Sequence, residues 1–356
     1  MSANLICLTG LGDYRKGVVE NIISNDTNVK IIAGNEAFEK SVKLLSKKDF
    51  NELKIVQNIF LLNRKFMYQS NSINACIKAD KLIIDLNPRV LNVWIIIFIR
   101  ALLGKKTCTW GHAWGRNGKF SLSRYFLKRM SHKVIVYTET QRNELLDLNK
   151  NLNVIAAPNS LYSEKNILDN LNSLQENPKN IIHVGRIVKS KKVDLIIKAF
   201  NDIKKFLDPQ SKLIIIGDGE DRGNIEKLIK ELNLESSVIL TGHVTEKEKL
   251  RTHYMSSFVS ISAGYVGLSI TQSFSFGVPM LISKDEPHSP EIEAAVEHIN
   301  SEFFQTDSPT DLSRKILDFY QNREQWLLKR NSIISSCALN YSTEKMATRI
   351  LSCFQD

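Results

Sequence analysis

Residues 180–200 read NIIHVGRIVKSKKVDLIIKAF. Ile181, Ile182 and Val184 make a short apolar, β-branched run, and Gly185 closes it. From Lys191 the apolar residues Val193, Ile196, Ile197 and Phe200 recur at helical spacing. A short apolar strand, a loop and an amphipathic helix form half of a parallel βαβ unit. The same rhythm follows in SKLIIIGDG (211–219) with DRGNIEKLIKELNL (221–234), and in SSVILTGHV (236–244) with EKEKLRTHYMSS (246–257). FVSIS (258–262), the loop and apolar helix GYVGLSITQSFSFGVP (264–279) and PMLIS (279–283) complete five units. Apolar strands alternating with helices predict a doubly wound parallel sheet covered on both faces, which binds ligands beyond the strands' carboxyl ends.

The first half has a fainter version of this pattern. Strands are expected at 3–10, 29–34, 81–86, 106–112, 133–138 and 153–159. The polar stretch SLYSEKNILDNLNSLQENPKN has no β pattern and reads as a linker. The expected organisation is an α/β chain of two Rossmann-like domains facing a cleft: 1–162, a linker 163–179, 180–338, and a C-terminal helix 339–356 packing back on the first domain.

With 356 residues, 43% hydrophobic and 24% charged, the chain has material for two cores. Its five cysteines form no CxxC pair, which excludes a zinc ribbon or disulfide framework and fits a reducing compartment. MSANLICLTGLG lacks the basic n-region of a leader and reads as a first strand. A net charge of +10 suits an anionic partner, and no nucleic-acid motif accompanies it. RVLNVWIIIFIRALLGKK (89–106) is too short to span a bilayer, with Arg100 inside it. It reads either as a buried helix or as a surface helix dipping into lipid, and the basic, aromatic FSLSRYFLKRMSHK (120–133) leaves the same choice open.

Candidate site residues lie in loops at strand ends. Arg186 follows a strand, and Lys191 opens the next helix. Together they would suit a diphosphate, or they are ordinary surface cations. Gly217 in GDGED lets the backbone approach a ligand or turn sharply. Gly242 and Val244, in TGHV, face a base with their backbone or simply turn. Gly267, Leu268 and Ser269 open a helix whose N–H groups favour an anion. Gln272 either hydrogen-bonds a sugar or is a buried amide. Glu291 follows Ser289 and Pro290 at a second helix start, serving the helix dipole or a ribose. Gly10 and Gly12 follow the first strand, but Arg15 breaks the dinucleotide fingerprint. His112 stands in a glycine-rich loop after another strand.

In their order, VGRIVKSKKVDLIIKAF, LIIIGDGED, VILTGHV and GYVGLSITQSFSFGVPMLIS resemble the glycosyltransferases of GT-B fold in family 4, most clearly over about 180–285. The resemblance implies that Arg186, Lys191 and the amides of Gly267, Leu268 and Ser269 hold a donor diphosphate, and that His112 touches the donor sugar or its phosphate. It implies a retaining transferase without cofactor or metal. The donor would be a UDP- or GDP-linked sugar, and the acceptor a glycan or polyprenyl-diphosphate-linked glycan in surface polysaccharide synthesis. The place implied is the cytoplasm, or the cytoplasmic face of the inner membrane with peripheral contact to anionic lipid. This sequence departs from the family where two glutamates usually stand, having Gly264 and Gln272 instead. A non-catalytic binding subunit and a nucleotide-sugar epimerase are the alternatives.

Overall fold

A computed structural model describes residues 4–39, 42–115, 120–171 and 177–355. The chain divides into two compact units, one of residues 1–161 with 343–356 and one of residues 162–342.

The first unit runs β1 (Asn4–Leu8), α1 (Lys16–Asn25), β2 (Val29–Gly34), β3 (Leu53–Val56), β4 (Asn58–Leu61), β5 (Phe66–Gln69), α2 (Ile73–Lys78) and β6 (Leu82–Asp85). It continues with α3 (Leu91–Leu102), β7 (Thr107–Trp110), α4 (Leu122–Met130), β8 (Lys133–Val136), α5 (Glu139–Leu148) and β9 (Val154–Ala156). Seven strands form a parallel sheet in the order β3-β2-β1-β6-β7-β8-β9. The order reverses between β1 and β6, so the loops after these strands flank the switch point. β4 and β5 form a separate antiparallel hairpin. Neither β3 nor the hairpin was expected from the sequence. β3 has only four residues, LKIV, with exposed Lys54 among them. The hairpin turns through Leu62, Asn63 and Arg64, all at positive φ, without a glycine.

The second unit runs α6 (Glu164–Leu168), β10 (Asn180–Val184), α7 (Val193–Ile203), β11 (Leu213–Ile216), α8 (Arg222–Glu231), β12 (Val238–Gly242), α9 (Lys247–Met255) and β13 (Ser257–Ser262). Then come α10 (Ser269–Ser275), β14 (Met280–Ser283), β15 (Ser301–Phe304), α11 (Pro309–Gln321) and α12 (Arg323–Tyr341). Six parallel strands lie in the order β12-β11-β10-β13-β14-β15. The buried face of α7 is the stripe Val193, Ile196, Ile197, Phe200 and Ile203, packed on Ile181 and Leu213. The order reverses between β10 and β13, placing residues 185–192 and 263–268 side by side at the carboxyl ends. β15, SEFF, is a sixth strand that the five-unit reading lacked. The stretch read as a linker carries α6, whose Ile167 is buried in the second unit's core; residues 172–176 of it lie outside the described residues. The chain then returns to the first unit with α13 (Thr343–Leu351), where Met346, Ala347 and Ile350 pack beside Val18 and Ile22 of α1.

Arg100, near the end of α3, is fully buried. Its guanidinium donates to the carbonyls of Cys76 (2.8 Å), Ala79 (2.7 Å), Asp80 (3.1 Å) and Lys106 (2.5 Å), and to Thr107 Oγ1 (2.8 Å). It closes the end of α2 and the start of β7 at once. Arg100→Leu leaves these acceptors unsatisfied, and the expected loss of unfolding free energy is about 3 kcal/mol or more. A urea unfolding midpoint that matches wild type would contradict this role.

Candidate functional site

The second unit's switch point is built by backbones pressed close together. A Cβ on Gly264 would lie 2.0 Å from the Ser190 carbonyl oxygen and 2.8 Å from Lys191 Cα. No side chain fits there, so a glutamate at this position is excluded on steric grounds. Gly217, at φ 141°, would bring a Cβ to 1.8 Å from the Gly185 oxygen, and Gly219 to 2.3 Å from the Ile187 oxygen. The loop after β11 therefore lies against the loop after β10. Gly217 N donates to Gly242 O at 2.9 Å, which brings the loop after β12 alongside.

Tyr265 joins the two cations. Its hydroxyl accepts from Arg186 Nη2 at 3.0 Å, and its carbonyl accepts from Lys191 Nζ at 2.6 Å. Lys191 Nζ also stands 3.4 Å from the Tyr265 ring centroid, a cation–π contact. Lys191 is buried, and Arg186 is exposed. Burial, and then the Arg186 charge, lower the Lys191 pKa to about 8, so the ammonium persists at neutral pH. Two cations at one crevice repel each other and attract an anion that bridges them. Tyr265 was not among the residues expected from the sequence, because its partner Arg186 lies 79 residues away.

Gly267, Leu268 and Ser269 continue from Tyr265 into α10. The loop is splinted by residues that follow β14. Val266 N–H donates to His288 Nδ1 at 3.0 Å, and Ser289 N–H to Val266 O at 2.9 Å. His288 Nε2 in turn donates to Ser283 O at 2.8 Å. Both ring nitrogens are thus committed in the neutral tautomer. Glu291 follows on the half-buried 3-10 turn Pro290–Ala294. Gln272 is held between tyrosines: its Nε2 donates to Tyr162 at 2.9 Å, and Tyr254 donates to its Oε1 at 3.4 Å. Tyr254 stacks on Phe276 with centroids 4.8 Å apart. The amide is half-buried and held by two side-chain hydroxyls, not by backbone. Val244 packs with the core cluster that includes Tyr254 and Phe276.

In the first unit, Gly10 and Gly12 lie in the loop after β1, where Leu45 N–H donates to Leu11 O at 2.8 Å. Asp85, at the end of β6, accepts from both the N–H and the hydroxyl of Thr9. Burial raises its pKa, against the effect of the Thr9 bonds and the Arg15 cation. Arg15 lies over the Trp110 ring at 4.4 Å and donates to Tyr137 at 3.1 Å. His112 follows β7, its ring 4.7 Å from that of Tyr137. It is solvent-accessible, yet partial desolvation and then Arg124 and Arg15 lower its pKa to about 4, leaving it neutral at pH 7. Residues 116–119 of its loop lie outside the described residues. Among the described residues, no group of three or more His, Cys, Asp or Glu side chains is placed to hold a metal.

Residues 164–335 match the family described as Glycosyl transferases group 1. An uncharacterized glycosyltransferase of Haemophilus influenzae is 26% identical over 232 residues, 64% of this chain and 62% of the relative. The poly(ribitol-phosphate) alpha-N-acetylglucosaminyltransferase of Staphylococcus aureus is 25% identical over 244 residues, 67% of this chain and 47% of the relative. The chain thus spans about half to three fifths of the length of these relatives. HepE of Anabaena, solved in complex with UDP, superposes over 100% of both chains with a TM-score of 0.72 at 13% identity. Residues 164–335 are therefore a group 1 glycosyl transferase domain, and the chain as a whole has the GT-B fold.

Neutral histidines at this site make the second unit acid-sensitive. Burial lowers His183, on β10, to about 4 and His288 below its ordinary value. The unfolded chain takes up these protons below about pH 6.5, and the folded chain only at lower pH. Stability is therefore full above pH 6.5 and falls as pH drops towards 4, on the order of 3 kcal/mol for His183 alone. His183→Gln should flatten part of that slope in denaturant midpoints measured between pH 7 and 4.5. An identical slope in wild type and variant would contradict it.

Proposed function

We propose that the protein is a retaining, metal-independent glycosyltransferase. It would move a sugar from a nucleoside-diphosphate donor to a glycan or lipid-linked glycan acceptor in surface polysaccharide assembly, as a peripheral protein at the cytoplasmic face of a membrane. The observation that carries this reading is the convergence of Arg186 and Lys191 on Tyr265 at the second unit's switch point. A diphosphate there would take over the Lys191 hydrogen now made to the Tyr265 carbonyl and gain a bidentate partner in Arg186. Both cations stabilise charge that grows on the leaving phosphate as the glycosidic bond breaks, the part a metal plays in other transferases. The amides of Gly267, Leu268 and Ser269 add donors at the same crevice.

UDP is the donor nucleotide to test first, because HepE, of the same fold, was solved with it; GDP is the second. His112, neutral and accessible, is assigned to the donor sugar or its phosphate. Glu291 is assigned to ribose, a role for which Gln272 has less freedom because two tyrosines hold its amide. One observation favours the non-catalytic reading: position 264 admits no carboxylate.

UDP at a hundred times its dissociation constant adds about 2.7 kcal/mol of stability, a readily measured rise in melting temperature. That rise should appear in wild type, persist in EDTA, and vanish in Arg186→Ala with Lys191→Ala. Its absence from wild type with both UDP and GDP would defeat the proposal. A rise without sugar transfer would move the binding-subunit reading ahead.

A further inference from the structure

The first unit carries a face whose polarity is inverted. In α3 the polar residues Asn92 and Arg100 point inward and are buried. Leu91, Ile95, Phe98 and Leu102, spaced at i, i+4, i+7 and i+11, form the outward stripe, with Ile95 42%, Phe98 57% and Leu102 73% exposed. A water-facing helix carries its polar residues on the outside. α4, packed against α3, repeats the inversion: Lys128 is buried with its Nζ on Ala113 O at 3.1 Å, while Leu122 and Phe126 are exposed.

The β4–β5 hairpin extends this face. It packs on α3, and Leu61, Leu62, Phe66 and Leu91 line an apolar hollow of about 440 Å³ between them. Its turn holds Leu62, Asn63 and Arg64 at φ 49°, 52° and 63°, a left-handed run that side chains disfavour. Arg89 fastens it by donating to the carbonyls of Arg64 and Lys65. What the strained turn presents to solvent is Leu62, 72% exposed.

The charge on this face selects the occupant. Between Asp85 and Glu139 the sequence has no Asp or Glu, and among the described residues of that stretch Arg89, Lys106 and Arg129 are exposed. Lys65 is likewise exposed beside the apolar residues. A second copy docked face to face would oppose cation to cation, which is unfavourable. An anionic bilayer matches both features, with apolar side chains entering the acyl boundary and ammonium and guanidinium groups at the phosphates. Among the described residues no helix is long and apolar enough to cross a membrane, so contact is made from one side.

We propose that the first unit docks on anionic bilayers through the β4–β5 hairpin and the outer stripes of α3 and α4, with Leu62, Phe98, Leu102 and Phe126 as the inserted side chains. This specifies the surface behind the peripheral reading above. UDP binding and vesicle binding are separate measurements, so either can fail without the other.

The test is co-sedimentation of the full chain with phosphatidylcholine vesicles, with and without phosphatidylglycerol. Wild type should partition to the anionic vesicles only, and less so as salt rises. Phe98→Ser with Leu102→Ser, both already in solvent, should weaken partitioning about tenfold or more. Leu62→Ser with Phe126→Ser repeats the test on separate elements, and an unchanged melting temperature and circular dichroism report that each variant is folded. A dye on Leu62→Cys should shift to the blue on anionic vesicles. Three results would overturn the proposal: wild type binding neither vesicle, both double variants binding as wild type does, or a wild-type dimer that either variant dissolves.

Discussion

The second unit's site depends on the close approach of two turns, Ser190–Lys191 and Gly264–Tyr265, at the point where the strand order reverses. The contact leaves no volume for a side chain at 264. It sets the Tyr265 carbonyl 2.6 Å from Lys191 Nζ and the Tyr265 ring beneath the same ammonium. Other parts of the crevice follow from it. The loops after β11 and β12 close on the β10 loop through Gly217 and Gly242, and the segment after β14 grips Val266 through His288 and Ser289. A parallel doubly wound sheet directs all of these loops to one edge.

A glutamate at position 264 would add a negative charge beside Arg186 and Lys191. Here the position is closed by backbone, and a tyrosine organises the cations instead. Tyr265 offers a hydroxyl acceptor, a carbonyl acceptor and a π face, and none of them carries charge. The electrostatic field of the crevice is correspondingly more positive. Burial lowers Lys191 only to about 8, so its charge is kept at neutral pH.

Much of the architecture was readable because buried parallel strands leave near-continuous apolar runs. LIII at 213–216 is buried at all four positions, and the stripe along α7 faces the core as its spacing foretold. β3 and β15 were hidden for a related reason: each has four residues with a charged one inside, Lys54 and Glu302. The hairpin carried no Asn-Gly or Asp-Gly signal, because Arg89 rather than glycine holds its turn. Within the candidate site, Arg186 and Lys191 could be picked from their places after a strand. Tyr265 and His288 could not, because their parts depend on partners across the fold: Tyr265 reaches Arg186, 79 residues away, and His288 reaches Val266, 22 residues away. The tyrosines that hold Gln272 lie 110 and 18 residues from it in sequence, beyond the reach of any local pattern.

The most direct measurement is phosphorus NMR of UDP titrated with the protein, wild type beside Gly264→Ala. The added methyl removes no charge and no hydrogen-bonding group, yet it must push the Ser190 carbonyl and Lys191 away from Tyr265. Both phosphorus lines should shift and broaden with wild type and remain as in free UDP with the variant, while the variant's circular dichroism stays native. Unchanged lines with wild type, or equal shifts with both proteins, would contradict a diphosphate site organised by this contact.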